Sequence, residues 1–429
     1  MKTVTWQTLD ERTQRALLRP TSSDKERNNL LTQVSEIIEN VKVNGDAAIK
    51  AYTQRFDHIM LQNLRVTEEA LDEAENIPDK HKRAIQTARD NIQRFHQPQY
   101  PSEITLENNG ITTSKIYRPI ESVGLYVPGG SAPLISTVLM LAIPAKIAGC
   151  PKITLVSPPD KHGKLSPYIL YAAKICGVTD IYTVGGAQAI AALAYGTASI
   201  PKADKIFGPG NKYVTAAKVQ VSYDPQGAAL DMPAGPSEVL VIADANANPE
   251  FIASDLLAQA EHDPDARSLL VTPSESLSKQ VKQAVERQKN ALSRKEIIDK
   301  SIGHALIIIA PNLETCFKIS NQHAPEHLIL HLENPRQYQN IIQNAGSVFM
   351  GAFTPESLGD YASGPNHVLP TEGYARNTSG LGVLDFMKAI SFQEATKEGL
   401  ETIAETVETL ALLEGLDAHQ QAVAVRRSV

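Results

Sequence analysis

The stretch that decides the fold is IYTVGGAQAI, residues 181–190. Its first four residues are β-branched or aromatic, as in a buried strand. Two glycines follow, and an alanine-rich helical run comes next. A glycine turn between a strand and a helix is typical of a βα unit. This stretch therefore predicts one strand and one helix of a parallel sheet that is covered by helices.

The same alternation recurs on both sides of this stretch. Strand-like runs that are each followed by a helical run lie at residues 122–127, 152–156, 205–207, 238–242, 268–271 and 305–309. Repeated βα units form a mostly parallel sheet with helices on both faces. A loop at residues 228–235 separates two sets of these units. The pattern predicts an α/β fold with two incomplete Rossmann-like, doubly wound domains, a helical N-terminal segment and a helical C-terminal tail.

The change of pattern along the chain predicts the domain boundaries. We expect an N-terminal arm at residues 1–24, a first α/β domain formed by 25–125 and 237–380, a second α/β domain at 126–236, and a tail at 381–429. In the tail, apolar residues recur at helical spacing and strand alternation is absent.

The composition is that of a soluble globular protein. Of 429 residues, 42% are hydrophobic and 21% are charged; the net charge of −7 argues against nucleic-acid binding, which needs concentrated positive charge. No apolar run is long enough to span a membrane, and the N-terminus lacks the apolar core of a signal peptide. Three cysteines without a Cys-x-x-Cys pair fit a reducing compartment. We therefore expect a cytoplasmic protein without disulfides or a thiolate zinc site.

Two glycine-bearing turns are candidates for nucleotide binding. One holds Gly185-Gly186 before Gln188, and the other holds Gly208-Pro209-Gly210 before Asn211. Free N–H groups at such helix starts favour anions. Neither turn is the full Gly-x-Gly-x-x-Gly fingerprint, because Tyr213 occupies the place of the third glycine in the second one. From these turns alone, a tight packing turn is the more common explanation of each. A third loop, at residues 126–133, either lies against the same ligand or changes the chain direction.

A possible metal pair lies at the end of a predicted helix. Gln259 and His262 are three residues apart, so their side chains share one helix face. An amide oxygen and an imidazole nitrogen can bind one ion. Spacing alone is weak, because such pairs are usually plain surface. Other ligands must arrive from distant segments.

Further candidates for chemistry stand in loops and at strand ends. Ser237 follows a proline-rich loop, and Glu326-His327 precede a buried strand, where ionisable groups are candidates for acid–base work. A hydrogen-bonded pair flanking the sheet is the alternative. Asp360 and His367 lie in one long polar loop, as a possible carboxylate ligand and a possible substrate contact. Glu414 and His419 flank a helix break at Gly415 in the tail, which could turn both toward one point. The alternative is a solvated helix end.

Together these segments resemble the histidinol dehydrogenase family. The matching segments, in the family's order, are residues 208–211, 231–238, 259–263, 323–327, 364–371 and 414–419. They span about residues 122–419, whereas the first hundred residues match more loosely. No single motif among them is as specific as the ordered set.

The resemblance implies the cofactors, the partners and the site residues. It implies one Zn²⁺ per subunit held by Gln259, His262, Asp360 and His419. It implies an intertwined homodimer in which Glu414 and His419 come from the partner subunit through a swapped tail. The substrate, L-histidinol, would contact Ser237, Gln259, His262, His327, Asp360, His367, Glu414 and His419. NAD would lie against Tyr126, Gln188 and Asn211, so that residues 126–236 form the NAD side and the first domain carries the metal and catalytic residues.

The resemblance also implies a two-step, four-electron oxidation of L-histidinol through the aldehyde to L-histidine. His327 would take the proton at each oxidation, and Glu326 would activate the water that adds to the aldehyde. A zinc hydrolase would use the same metal residues without nucleotide, but the sequence lacks His-Glu-x-x-His. A non-catalytic nucleotide-binding protein would have no use for Glu326-His327. A cysteine nucleophile is a further alternative, although Cys150, Cys176 and Cys316 have no base beside them in sequence.

Overall fold

Parallel strands and the helices that connect them make up most of the chain. The computed structural model describes residues 1–19, 24–129, 133–233 and 235–428. Part of the loop at 126–133 and one residue of the loop at 228–235 lie outside these ranges. Within the described residues, no helix combines the length and the apolar character that crossing a bilayer requires.

The strands and helices follow one another as repeated βα units over most of the chain. The strands are β1 Lys2–Thr5, β2 Ile104–Asn108, β3 Ile111–Pro119, β4 Ser122–Tyr126, β5 Lys152–Ser157, β6 Asp180–Thr183, β7 Lys205–Phe207, β8 Ala229–Leu230, β9 Glu238–Ala243, β10 Arg267–Thr272, β11 Leu306–Ile309, β12 His327–His331, β13 Ser347–Met350 and β14 Met387–Ala395. The α-helices are α1 Glu11–Leu18, α2 Asp24–Asp57, α3 Glu68–Glu73, α4 Asp79–His96, α5 Ile135–Ala148, α6 Pro167–Ile175, α7 Gly186–Tyr195, α8 Lys212–Tyr223, α9 Pro249–Ala260, α10 Glu275–Gln288, α11 Lys295–His304, α12 Leu313–His323, α13 Glu356–Tyr361, α14 Lys397–Leu413 and α15 Asp417–Arg427. Gly45 interrupts α2 with a φ of 50°, a left-handed conformation that favours glycine.

A six-stranded parallel sheet is the first of two sheets covered by helices. Its order is β1-β11-β10-β9-β12-β13. Helices α9, α10 and α11 pack on one face, and α1 and α12 pack on the other. Strand β9 is buried along its whole length, as a central strand covered on both faces must be.

A five-stranded parallel sheet is the second. Its order, β6-β5-β4-β7-β8, places the crossover between β4 and β7 at the centre. Helices α4, α5 and α6 cover one face, and α2, α7 and α8 cover the other. This order is that of a Rossmann-type sheet that lacks its sixth strand. The predicted fold class, with two incomplete doubly wound units and helical terminal segments, is confirmed.

Three local expectations need correction. The N-terminal arm contributes β1, which pairs with β11 of the six-stranded sheet. The tail begins with a strand, because β14 pairs antiparallel with β3 along its whole length. Its side chains are mostly exposed, so the apolar alternation that marks a strand is missing there. Helices α2 and α4, expected to accompany residues 237–380, pack beside the five-stranded sheet instead. The exact domain boundaries remain a prediction.

The tail leaves much apolar surface uncovered within one chain. Helices α14 and α15 pack on each other, and Arg427 pairs with Glu401 and Glu408 between them. Leucine side chains that stay exposed on the two helices and their connection are Leu410, Leu412, Leu413 and Leu416. Several exposed leucines within seven residues are a feature of interaction surfaces.

We predict that Phe386→Ala lowers the free energy of unfolding by about 3–5 kcal/mol, because it removes a fully buried ring and leaves a cavity. Phe386 stacks on Phe207 with 3.9 Å between ring centroids, which fastens the start of the tail to the five-stranded sheet. Urea unfolding followed by circular dichroism measures the change. Phe353→Ala, at a side chain that is 87% exposed, is the matched control and should change stability by no more than about 0.5 kcal/mol. Equal losses in the two variants would contradict the prediction.

Candidate active site

The candidate site lies at the amino ends of the central strands of the six-stranded sheet. Glu238 is the first residue of β9 and His327 is the first residue of β12. Helix α9 reaches this edge with its carboxyl end, and α12 ends three residues before Glu326. The carboxyl end of a helix carries partial negative charge, so two such ends favour a cation at this edge.

Three ionisable side chains meet there in a geometry that fits a metal ion. Ligand atoms of His262, Glu356 and Asp360 all lie within 4.8 Å of one another. His262 Nε2 is 4.0 Å from an Asp360 carboxylate oxygen, and the pKa of His262 is lowered by desolvation, which favours the neutral ring that ligates metals. Burial raises the pKa of Asp360 to about 7.

Gln259 is fully buried near the carboxyl end of α9, and His262 follows in the turn after that helix. Its Nε2 has no hydrogen-bond partner among the described residues, and its Oε1 is 3.5 Å from Ser237 Oγ. A buried amide with an unsatisfied end is costly, and either orientation of the amide leaves a polar atom that an ion or a ligand would satisfy. The residues present therefore fit a divalent cation with nitrogen and oxygen ligands. Glu356, a member of the cluster, was not anticipated from the sequence.

His327 is arranged as a neutral base. Its Nδ1 donates to the Glu238 backbone carbonyl at 3.2 Å; because a carbonyl only accepts, Nδ1 carries the proton and Nε2 carries the lone pair. His327 Nε2 lies 3.8 Å from Asp360 and has no hydrogen-bond partner in the part of the chain that the structure describes. Burial lowers the pKa of His327 to about 3, so the ring is neutral at physiological pH.

Glu326 is a buried carboxyl that is held by two donors. Ser237 Oγ donates to it at 2.6 Å and the Glu238 backbone N–H donates at 2.8 Å. Burial raises its pKa well above the usual value, although these two hydrogen bonds oppose the shift. Adjacent strand residues normally point to opposite faces, yet a Glu326 oxygen lies 3.6 Å from His327 Nδ1. The reason is that β12 begins only at His327, after a turn in which Ala324 adopts a left-handed φ of 54°.

His367 joins the site to the other sheet. Its Nδ1 is 2.8 Å from the Asp360 backbone carbonyl, and its Nε2 is 3.1 Å from Thr137 Oγ1 on α5. Burial lowers the pKa of His367 to about 4, so this ring is also neutral. Thr137 has no sequence signal of its own, because it is one residue of an apolar helix.

A cavity of about 70 Å³ connects the two sheets. Residues from both sides line it, including Gly208, Lys218, Asp231, Ser237 and Glu326. Lys218 is buried, pairs with Asp231 and donates to the Gly208 carbonyl at 2.9 Å. Asp231 in turn accepts from the Gly208 N–H at 2.8 Å. The second glycine turn is thus braced directly beside Glu326.

The three residues expected to contact NAD lie at the carboxyl end of the five-stranded sheet, which is the usual position of a nucleotide in such a fold. Tyr126 ends β4 and its hydroxyl accepts from the Gly186 N–H at 3.2 Å. Gln188 is buried in the first turn of α7. Asn211 caps α8 by accepting from two backbone N–H groups. Their roles toward NAD remain a prediction.

Glu414 and His419 do not join the cluster within one chain. Both are exposed on the tail, and His419 is absent from the group of ligand atoms formed by His262, Glu356 and Asp360. Their expected roles therefore require a second copy.

The cysteines show no activated thiol, because burial raises the pKa of Cys150 to about 11 and those of Cys176 and Cys316 to about 12.

Comparison with known proteins gives a consistent result. The chain matches the family described as Histidinol dehydrogenase over residues 20–427. Histidinol dehydrogenase of Mannheimia succiniciproducens is 53% identical over 99% of each chain. The Vibrio vulnificus protein of that name is 52% identical and covers 99% of this chain and 98% of its own. A crystal structure of histidinol dehydrogenase from Elizabethkingia anophelis is similar, with a TM-score of 0.93 at 46% identity, covering 99% of this chain and 98% of the other.

We predict that Lys218→Met costs about 3–5 kcal/mol of stability, because it leaves the buried Asp231 carboxylate without its charge partner. Adding Asp231→Asn should recover most of this loss, since both charges are then absent. The free energy of unfolding from urea titration of the single and double variants measures the coupling. Lys279→Met, which breaks an exposed pair with Glu275, is the control and should change stability by less than about 1 kcal/mol. A double variant no more stable than Lys218→Met would refute the pairing.

Proposed function

The chain belongs to the histidinol dehydrogenase family, and we propose that it oxidises L-histidinol to L-histidine in two NAD-dependent steps at the site described above. Histidinol dehydrogenases are oxidoreductases of histidine biosynthesis. The observation that carries the proposal for this chain is the pair of buried groups at the start of β12. His327 offers a free Nε2, and Glu326 lies beside it, facing the cavity between the two sheets.

Zn²⁺ would be held by Gln259, His262 and Asp360 of one chain with His419 of the partner subunit. When bound, the ion supplies a positive charge that fixes and polarises the nitrogen-rich substrate. NAD, against Tyr126, Gln188 and Asn211, supplies the hydride acceptor. Ser237 and His367 of the same chain would complete the substrate pocket, together with Glu414 of the partner subunit. We place the enzyme in the cytoplasm, where its cysteines stay reduced.

The first step removes a hydride and a proton from the alcohol. His327 Nε2 takes the hydroxyl proton as the carbon–hydrogen bond breaks, leaving the aldehyde. Asp360, 3.8 Å from this nitrogen, stabilises the imidazolium that forms. Because burial lowers the pKa of His327, the ring is neutral before each oxidation and its Nε2 lone pair is available to take the proton.

The second step needs water. Glu326 accepts a proton from the water that adds to the aldehyde, and the hydrate then loses a hydride and a second proton to become the acid. Ser237 and the Glu238 N–H hold the ionised carboxylate in place. Its raised pKa makes that carboxylate a stronger base than an ordinary one, and general base catalysis is typically worth ~10²–10⁴-fold.

We predict that Glu326→Gln slows the aldehyde-to-acid half by about 10²-fold or more while sparing much of the alcohol step, because the amide cannot take a proton from water. Stopped-flow NADH absorbance with histidinol and with histidinal separates the halves. In the wild type the aldehyde half should be lost as pH falls through the raised pKa of Glu326, since the base must be ionised. Equal damage to the two halves would contradict the assigned role.

The complete reaction should produce two NADH per histidinol, and the active protein should contain bound zinc. A zinc hydrolase would release none, and a non-catalytic nucleotide-binding protein would bind NAD and remain inert. Counting NADH against substrate and measuring zinc by mass spectrometry therefore tests the function as a whole.

We predict that His419→Ala and Asp360→Ala chains are each inactive but regain activity when mixed. A heterodimer with a shared site contains one position in which all ligands are intact, so about half of the wild-type activity per mixed dimer is expected. Differently tagged chains, refolded together and purified through both tags, provide the sample. Two Asp360→Ala chains with different tags are the control and should stay inactive. Verified mixed dimers without activity would disprove sharing of the site.

A further inference from the structure

Glu356 is a buried carboxyl group of the site that the mechanism leaves without a task. It begins α13, one helical turn before Asp360, so the two side chains lie on the same face. Glu356 is only 1% exposed, and no residue that the structure describes forms a hydrogen bond with its Oε2. A buried carboxyl without a partner is costly, and buried carboxylates are normally paired or bound to a metal.

The neighbours of Glu356 do not satisfy it. Its other oxygen, Oε1, lies 3.6 Å from His327 Nδ1, beyond hydrogen-bonding distance. The proton on that nitrogen is already directed to the Glu238 backbone carbonyl. Glu326 is different, because a serine hydroxyl and a backbone N–H both donate to it. An ionised Glu356 would therefore be balanced by a cation that it binds together with His262 and Asp360.

Charge balance gives an independent reason. Among the four expected zinc ligands, only Asp360 is anionic; Gln259, His262 and His419 are neutral. A divalent ion in this set would keep one positive charge that no ligand balances, beside the buried side chains of Gln259 and Glu356, where an uncompensated charge is costly. A second carboxylate among the ligands balances the charge of the divalent ion. Glu356 is placed for this, within 4.8 Å of the ligand atoms of His262 and Asp360.

We propose that Glu356 is a ligand of the divalent ion and supplies the second carboxylate of the metal site. The inference rests on the metal site of the proposed function and adds to it a residue of this chain. With Gln259, His262 and Asp360 it gives one chain four nitrogen or oxygen ligands. The ion can then bind to each chain before His419 of the partner subunit arrives.

The experiment compares Glu356→Gln with Asp255→Asn in the full-length dimer. Asp255 is the matched control, because it is a buried carboxyl on α9 that pairs with His331 at 2.7 Å and lies one turn away from Gln259. Each protein is stripped of metal, and Zn²⁺ affinity is measured by competition with a chelator. Co²⁺ is then bound and its visible absorption recorded, because this spectrum reports the ligand set independently of activity.

Glu356→Gln should weaken Zn²⁺ binding by more than about 100-fold and change the Co²⁺ spectrum. Loss of a residue that only forms a hydrogen bond to a ligand costs ~10–100-fold, so a larger loss indicates a direct ligand. Asp255→Asn should keep the wild-type spectrum and lose less than about 10-fold in affinity. Glu356→Asp, which keeps the charge but withdraws it by one methylene, should lie between wild type and Glu356→Gln; it also serves if the glutamine variant does not fold. Wild-type affinity and spectrum in Glu356→Gln, or a loss equal to that of Asp255→Asn, would overturn the inference.

The two proposals fail in different ways. If the wild-type chain binds no divalent ion and forms no NADH with histidinol, the proposed function fails. If the wild type binds one ion and oxidises histidinol while Glu356→Gln binds the ion equally well, only the role of Glu356 fails.

Discussion

The burial of several carboxyl groups at one edge of the six-stranded sheet is the constraint on which the site depends. Glu238, Glu326 and Glu356 are buried and Asp360 is half-buried, so water screens their charges poorly. Each needs its own compensation. Glu238 has a histidine and an arginine, Glu326 has two hydrogen-bond donors, and the remaining two have the proposed ion. The carboxyl ends of α9 and α12 point at the same edge and add to the demand for a cation.

The same constraint explains the position of the site. Ligands of doubly wound sheets usually bind at the carboxyl ends of the strands, and the expected NAD residues follow that rule in the five-stranded sheet. The expected metal ligands lie at the amino ends of the six-stranded sheet instead. The two edges meet across a small cavity, where Lys218 and Asp231 brace the glycine turn and Thr137 contacts His367. A hydride acceptor on one sheet can therefore face a base on the other.

Periodic features of the sequence predicted the fold well, and local spacing predicted little of the site. Strand and glycine-turn alternation was sufficient for the two parallel sheets, because buried parallel strands are apolar throughout. Gln259 and His262 could be paired from helix spacing. Asp360 and His367 were noticed because they lie in a long polar segment, but only the family resemblance gave them roles; the structure places Asp360 on α13 rather than in a loop. Glu356 was missed because a glutamate in the first turn of a helix is ordinary by sequence, and only folding shows that it is buried.

The tail connects assembly to chemistry. In a single chain its leucines stay in water, and Glu414 and His419 stand near the same helix break without reaching the cluster. A second copy that covered the leucines would bury apolar surface and deliver both polar groups at once. The hydrophobic gain would then offset the cost of placing a histidine and a carboxylate in a confined site. If Glu356 holds the ion first, the charge is already balanced when the partner's neutral imidazole arrives. Metal binding would then precede dimerisation and strengthen it, because a ligand that favours the assembled state stabilises that state by mass action.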